Sequence, residues 1–393
     1  MRRLAISLAF VASCASNPPA PADAPKKAPP APAASPVDDD APPTEGPNAD
    51  AKNANAFTLR MFARAANEEH GNVMLSGASI RQAFAIAYAG AKGETAKELE
   101  KTFGFTADTK AELDAEVTVA NRIWVEKSMP LNPDFKEPAE GADFKSAPED
   151  ARRTINQWVA SSTKDKIVDL LPEGALDRST RAVITNAIYF KGKWVNPFPK
   201  AMTKDDAFTV DEKTKVNVPT MHVTESFRYA HVEKVQIVEL RYVGRDLSML
   251  VVMPDDAKDL AHLAERPAVD AWAGALKTAR LDLSMPRFTF RWGGSVKEML
   301  ESLGVKAAFT NRADLSGIAM RPGDLYVSDA FHQTWVSLDE QGTEAAAATG
   351  TVIKLLSQQI GQPLAVKIDH PFLFFVRSKD RILFAGRVTE PKQ

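Results

Sequence analysis

Apolar positions recur with a helical period from Asn53 onward. In "NANAFTLRMFARAAN" the side chains of Phe57, Met61 and Phe62 fall on one face. "SIRQAFAIAYAGA", Ser79 to Ala91, is apolar almost all round, which predicts a helix buried on most sides. "GETAKELEKTFGF" reads as a short amphipathic helix, and the Thr95-to-Glu98 spacing near its start is that of a capping box. The pattern then changes. "TRAVITNAIYFKGKW" runs through β-branched and aromatic residues, which predicts a central strand buried on both faces and ended by Gly192. "LSMLVVMP", "LDLSMPRFTF" and "PFLFFVRSKDRILFAGRV" predict further strands, the last a hairpin turning at Ser378–Asp380. Helices come mostly first and strands mostly later, so the fold class expected is α+β rather than alternating βαβ units.

Composition narrows the function classes. The chain has 393 residues, 44% hydrophobic and 25% charged, with a formal net charge of −2. A near-neutral chain with no basic run interleaved with aromatics is not expected to take nucleic acid as its partner. The six histidines are scattered, and none stands in an HExxH spacing. One cysteine permits no internal disulfide and no thiolate metal site, so neither metal nor cofactor is expected. No G-x-S-x-G elbow and no glycine-rich phosphate loop with lysine occurs, so no catalytic residues are assigned and an enzyme is not expected.

The single cysteine is informative by position. "MRRLAISLAFVASC" has the charged start, apolar run and small-residue end of an export signal, and is too short to span a bilayer. "VASC" resembles the lipobox of bacterial lipoproteins, in which the cysteine is lipidated; the plainer reading is a secretory signal that contains a cysteine. Residues 1–13 are read as the signal and Cys14 as the lipidation site. Residues 14–51 are proline-, alanine- and acid-rich, a composition that stays extended and spans up to about 100 Å. The expected location is the cell envelope, at the outer membrane or cell surface, with a lipid at Cys14 as the only membrane contact. If Cys14 is not lipidated, the protein is secreted. The folded domain is expected over 52–393.

Within that domain, seven blocks occur in order: "NVMLSGASIRQAFAIAYAGAKGETAKELEKTFGF", "INQWVASSTKDKIVDLLP", "TNAIYFKGKWVNPF", "LSMLVVMP", "ADLSGI", "LYVSDAFHQTWVSLDEQGTEAAAATG" and "DHPFLFFVRSKDRILFAGRV". Together they resemble a serpin from Asn53 to Pro391. The resemblance implies three β-sheets, many helices, and an exposed reactive loop at about 340–363. It also implies a suicide mechanism, in which the acylated loop inserts as a new strand of the large sheet and carries the trapped protease with it. The partner implied is a serine protease, or a cysteine protease, met by a monomer.

"EQGTEAAAATG", Glu340 to Gly350, also reads physically. As a static segment it is a short surface helix, marginal in water. As a strand that must slide between two others, its alternate side chains enter a packed interior. Thr343, Ala345, Ala347 and Thr349 share one face; Glu344, Ala346, Ala348 and Gly350 share the other. With the first face inward, Glu344 points to water and nothing large is buried, which matters because overpacking costs roughly 1–3 kcal/mol per site. Gly342 supplies a backbone hinge. The resemblance makes this an inhibitory-type hinge and places the scissile bond fourteen residues after Gly342, at Leu356–Ser357. Leucine there suits chymotrypsin-like or subtilisin-like enzymes. A slip to Leu355 keeps that preference, whereas Lys354 implies a trypsin-like target.

Other positions carry over from the resemblance. Ser76, Ser79, Asn186 and His332 match a network that controls sheet opening, and they also read as a static buried polar cluster. Trp194 matches a tryptophan where the loop first meets the sheet. Glu340 is expected to pair with Arg287, and arginine is able to make a two-pronged contact with the carboxylate. Three departures stand out: Gly77 replaces a usual proline, "HQT" a usual basic residue, and Ser337 an acid. Only fifteen residues lie between Phe105 and Asn121, where many members have a helix and a strand. That helix binds glycosaminoglycans in some relatives, so polyanion activation is not expected. The alternative function is a non-inhibitory serpin acting as a binding or chaperone-like module, which a bulky or proline-containing hinge would favour.

Overall fold

The computed structural model describes residues 49–106, 117–244, 246–319, 321–343 and 362–392. Its helices are α1 (Ala49–Glu68), α2 (Gly77–Ala89), α3 (Gly93–Phe103), α4 (Pro148–Ser162), α5 (Leu260–Glu265), α6 (Val269–Ala275) and α7 (Lys297–Ser302). The first strands are β1 (Val73–Leu75), β2 (Val117–Glu126), β3 (Ala139–Ala142), β4 (Ala182–Phe190), β5 (Gly192–Lys193), β6 (Lys204–Thr209), β7 (Lys215–Val232) and β8 (Val235–Arg241). The remainder are β9 (Leu247–Pro254), β10 (Lys277–Pro286), β11 (Phe288–Ser295), β12 (Val327–Asp339), β13 (Gly342–Thr343), β14 (Leu364–Lys367), β15 (Phe372–Ser378) and β16 (Arg381–Val388).

Among the described residues the strands form two hydrogen-bonded sheets. One runs β3-β2-β4-β12-β13-β5, with β11 on β12; the other runs β1-β16-β15-β9-β8-β7-β10-β14, with β6 on β7. The third sheet expected from the resemblance is joined to the second by β7. That strand is 18 residues long; it pairs with β6 over Lys215–Thr220, with β10 over Thr220–Tyr229 and with β8 over Arg228–Val232.

Strand β4 owes its place to its composition. All nine of its residues are buried. Ala182 and Ile184 face the core built on α1 and α2, whereas Val183, Ala187 and Tyr189 face the core under α4. On the α4 side, the Arg122 guanidinium lies 4.3 Å over the Trp158 ring and 5.2 Å over Trp124, pinning the helix to β2 by cation–π contact. The strand ends at Phe190, not at Gly192. Gly192 starts β5, and a Cβ there would stand 2.6 Å from Tyr242 and 2.7 Å from Phe190.

One local expectation fails for a tertiary reason. The Thr95–Glu98 capping box does not form: α3 starts at Gly93 and its N-cap, Lys92, makes no side-chain bond. Thr95 Oγ1 accepts from Asp314 N at 3.0 Å, and Glu98 Oε2 accepts from Lys306 N and Ala307 N at 2.7 and 2.6 Å. Both side chains tie α3 to the 306–314 segment instead of capping their own helix. At the start of the domain, α1 begins at Ala49, ahead of the boundary at 52. Asp50 belongs to the fold: its carboxylate bonds the guanidinium groups of Arg81 and Arg381.

The glycine at 77 has a steric cause. It opens α2, where proline would suit the backbone. A Cβ there would lie 2.3 Å from Thr58 Oγ1 and 2.5 Å from Thr58 Cα, so α1 sits where a side chain would be. Gly77→Ala and Gly77→Pro should each lower stability in urea unfolding by about 1–3 kcal/mol. Variants as stable as the parent would show that α1 does not close on this position.

Candidate functional site

The site is built on the parallel pairing of β4 with β12, which runs from Ala182↔Val327 to Tyr189↔Trp335. In that register His332 stands opposite Asn186, and Asn186 stands opposite Asn121 of β2. The three polar side chains therefore form one row across three strands, under the first turn of α2. Ser76 is the N-cap of that helix, and its Oγ accepts from Ser79 N at 3.1 Å.

The hydrogen bonds fix the histidine tautomer. Ser76 N donates to His332 Nε2 at 3.2 Å, so Nε2 is the bare nitrogen and Nδ1 carries the proton that it gives to Asn186 Oδ1. Asn186 Nδ2 donates to Ser79 O at 3.2 Å, to Ser79 Oγ and to Asn121 Oδ1. Asn121 Nδ2 continues the chain to Gln82 Oε1 at 2.9 Å. All four sequence-identified residues are nearly inaccessible, with His332, Ser76 and Ser79 at 0% and Asn186 at 2% exposure. Asn121 joins them without having been singled out. Its signal was its place in the strand row opposite Asn186, which needs the β2–β4 register.

A second cluster lies at the end of the β4–β12 pairing, where the chain turns from β12 into β13. Gly342 and Thr343 pair antiparallel both with β12 (Asp339, Leu338) and with β5 (Lys193, Gly192). Gly342 has φ +147°, and a Cβ on it would fall 1.9 Å from Gly192 O, so only glycine passes here. The Asp339 carboxylate holds the turn, accepting from Gln341 N at 2.8 Å and Gly342 N at 3.2 Å. Trp194 N donates to Gln341 O at 2.9 Å and its Nε1 donates to Asp339 O at 3.0 Å. Its ring stacks on Tyr242, with centroids 4.3 Å apart. The Tyr242 hydroxyl meets Thr343 Oγ1 at 2.8 Å, and burial raises the phenol's pKa far above its usual range, so it stays neutral. Sequence reasoning missed Tyr242, which stands just past the end of β8 and bridges to Trp194.

Glu340 is 4% exposed; its Oε1 accepts from Thr203 Oγ1 at 2.8 Å, and its carbonyl accepts from Phe198 N at 2.8 Å. Arg287 and Glu340 are brought together, but not in the two-pronged contact expected: Nη1 to Oε1 is 3.6 Å, longer than a hydrogen bond. Thr203 takes the close position on that oxygen. Ser337, another departure, shares a hydrogen bond of 2.9 Å with Thr289 of β11. Glu344, Ala345, Ala346, Ala347, Ala348, Thr349, Leu356 and Ser357 lie outside the described residues, as do Cys14 and residues 1–48.

Burial lowers the His332 pKa to about 3. With an ordinary value near 6.5 in the unfolded chain, the fold excludes the proton. Stability is therefore unaffected above about pH 6.5 and falls by about 1 kcal/mol per unit below it, down to the folded value. Between pH 6.5 and 5, His332→Gln should lose about 2 kcal/mol less than the parent in urea unfolding. Parallel pH profiles would remove the histidine from this account.

Comparison with known proteins matches this geometry to a family. A family model described as Serpin (serine protease inhibitor) matches residues 52–391. The leukocyte elastase inhibitor of Homo sapiens is 35% identical over 372 residues, covering 85% of this chain and 97% of that protein. A serpin-like protein of Methanosarcina acetivorans is 34% identical over 370 residues, covering 86% of this chain and 85% of that protein. The crystal structure of Serpin48 from Tenebrio molitor superposes with a TM-score of 0.78 at 30% identity, covering 87% of this chain and 98% of that one. With the β4–β12 pairing and the β13 turn in place, the chain belongs to the serpin family of serine protease inhibitors and has the serpin fold.

Proposed function

We propose that the protein inhibits its target as a suicide substrate, cleaved at Leu356–Ser357 and trapping the acyl-enzyme by inserting 342–350 between β4 and β12. The observation that carries this reading is the position of Gly342 and Thr343, already paired to β5 and β12 at the open end of a seam closed everywhere below. Each further residue of an inserting strand would have to separate another β4–β12 pair. Small alternate side chains keep that exchange free of overpacking.

In this reading Ser76, Ser79, Asn186 and His332 hold the seam shut, and their bonds are remade around the new strand. Trp194, Tyr242 and the Arg287–Glu340 pair hold the hinge at its starting point. A leucine at 356 favours a chymotrypsin-like or subtilisin-like enzyme. The human relative is named as an inhibitor of leukocyte elastase. The protein works as a monomer, exported and held at the cell envelope by a lipid on Cys14.

Mixed with a chymotrypsin-like protease, the protein should give an SDS-stable complex and release a peptide beginning at Ser357. Cleavage without a complex would leave the fold and turn the function into that of a substrate or binding module. Glu340→Lys sets a second positive charge against Arg287 and removes the acceptor of Thr203; it should form polymers or inactive monomer on native gels. A monomeric, fully inhibitory Glu340→Lys would end the proposed role of that pair.

A further inference from the structure

A cleft of ≈ 410 Å³ opens between β6, β7, β10 and β14. Its size is that of a small-molecule site. Across three strands, His222 stands opposite Ser284, and Ser284 stands opposite Lys367. Directly opposite residues project to the same face, so the three line up along the cleft, and Lys204 adds a second ammonium from β6. Phe208 and Ile368, 1% and 3% exposed, form its apolar floor.

Ser284 is the unusual member. It is 8% exposed and lines the cleft, yet its hydroxyl makes no hydrogen bond with any described residue; only its carbonyl is used, by Ile368 N at 2.9 Å. That hydroxyl is open to the cleft, so it is available to whatever enters it. The charges are mixed, three aspartates against two lysines, and differ in how far they are already engaged. Asp206 is engaged by His222 Nε2 at 2.7 Å, Asp369 by His370 Nδ1 at 2.9 Å, and Asp282 accepts from Thr224 Oγ1 at 3.2 Å. Lys367 has no ion pair among the described residues, and Lys204 is only loosely placed, 3.8 Å from Asp206. Two ammonium groups and a hydroxyl are therefore left to donate.

The three rim carboxylates repel a multiply charged anion more than a singly charged one. The apolar floor favours a hydrocarbon attached to it. We propose that this cleft binds a short alkyl carboxylate, its oxygens held by Lys204, Lys367 and Ser284 Oγ and its hydrocarbon laid on Phe208 and Ile368. Two sources carry that chemistry. One is a free short-chain acid. The other is a glutamate side chain on the docked protease, because the seven chain steps from Ser357 to Leu364 span at most about 25 Å.

Ligand-observed NMR titration of the intact protein with butyrate, at fixed ionic strength, tests the site without reference to protease trapping. Binding on the order of millimolar is expected, weakened about tenfold in Ser284→Ala and in Lys367→Met. Butyramide and phosphate should bind about tenfold more weakly than butyrate. Ser284→Ala removes no hydrogen bond within the protein, so its fold is retained, which circular dichroism checks. Absence of saturable butyrate binding, binding unchanged in both variants, or equal binding of butyramide overturns the proposal. The source is then read from the association rate with a chymotrypsin-like protease, an arm that does rest on the inhibitory reading. If Lys367→Met slows association about tenfold and butyrate competes, the natural occupant is a glutamate side chain. If butyrate binds and neither change moves the rate, it is a free acid.

Discussion

The β4–β12 seam is closed twice, by a parallel ladder that is regular from Asp329 to Trp335 and by the polar row Asn121–Asn186–His332 beneath it. Parallel pairing is somewhat weaker per residue than antiparallel. The row lies in a place where an unpaired polar group costs about 1–3 kcal/mol. Its closure is therefore all-or-none: separating the strands leaves several polar atoms unpaired at once, unless a new strand arrives to satisfy them. The helix above belongs to the same unit, because its N-cap Ser76 donates its own N–H to His332.

The hinge cluster meets a different constraint, one of space rather than polarity. Gly342 fits only because it has no side chain, and Thr343 fits because its hydroxyl finds Tyr242. A residue larger than threonine at 343 would meet the Trp194–Tyr242 stack; one without a hydroxyl would leave the phenol without its bond. Gly342 and Thr343 thus sit against a fixed aromatic pair, Trp194 after β5 of their own sheet and Tyr242 after β8 of the other.

Much of this was legible in the sequence. The all-apolar run of β4 and the hairpin at Ser378–Asp380 follow from residue pattern, since burial on both faces leaves no other use for such strings. What the sequence hid was where polar side chains find partners. Thr95 and Glu98 have the spacing of a local cap but bond to a segment more than two hundred residues away. Asn121 lies in a strand whose register cannot be read from that strand alone, and Tyr242 finds Trp194 through an isolated bridge just past the end of β8. Arg287 and Glu340 are neighbours, yet the closer contact goes to Thr203, which has no charge to advertise it. Gly77 looked like a lost proline until Thr58 was seen against it.

The stacking of Trp194 on Tyr242 has an optical consequence. Of the six tryptophans in the chain, this one donates its indole N–H to the turn carrying the hinge and lies flat on the phenol that holds Thr343. Its emission is set by that dry, stacked environment. Withdrawal of two residues from the sheet would rehydrate the ring face, whereas deeper insertion would leave it covered. With the other five tryptophans replaced, the emission of Trp194 would report whether Gly342 and Thr343 stay in the sheet, with no label added.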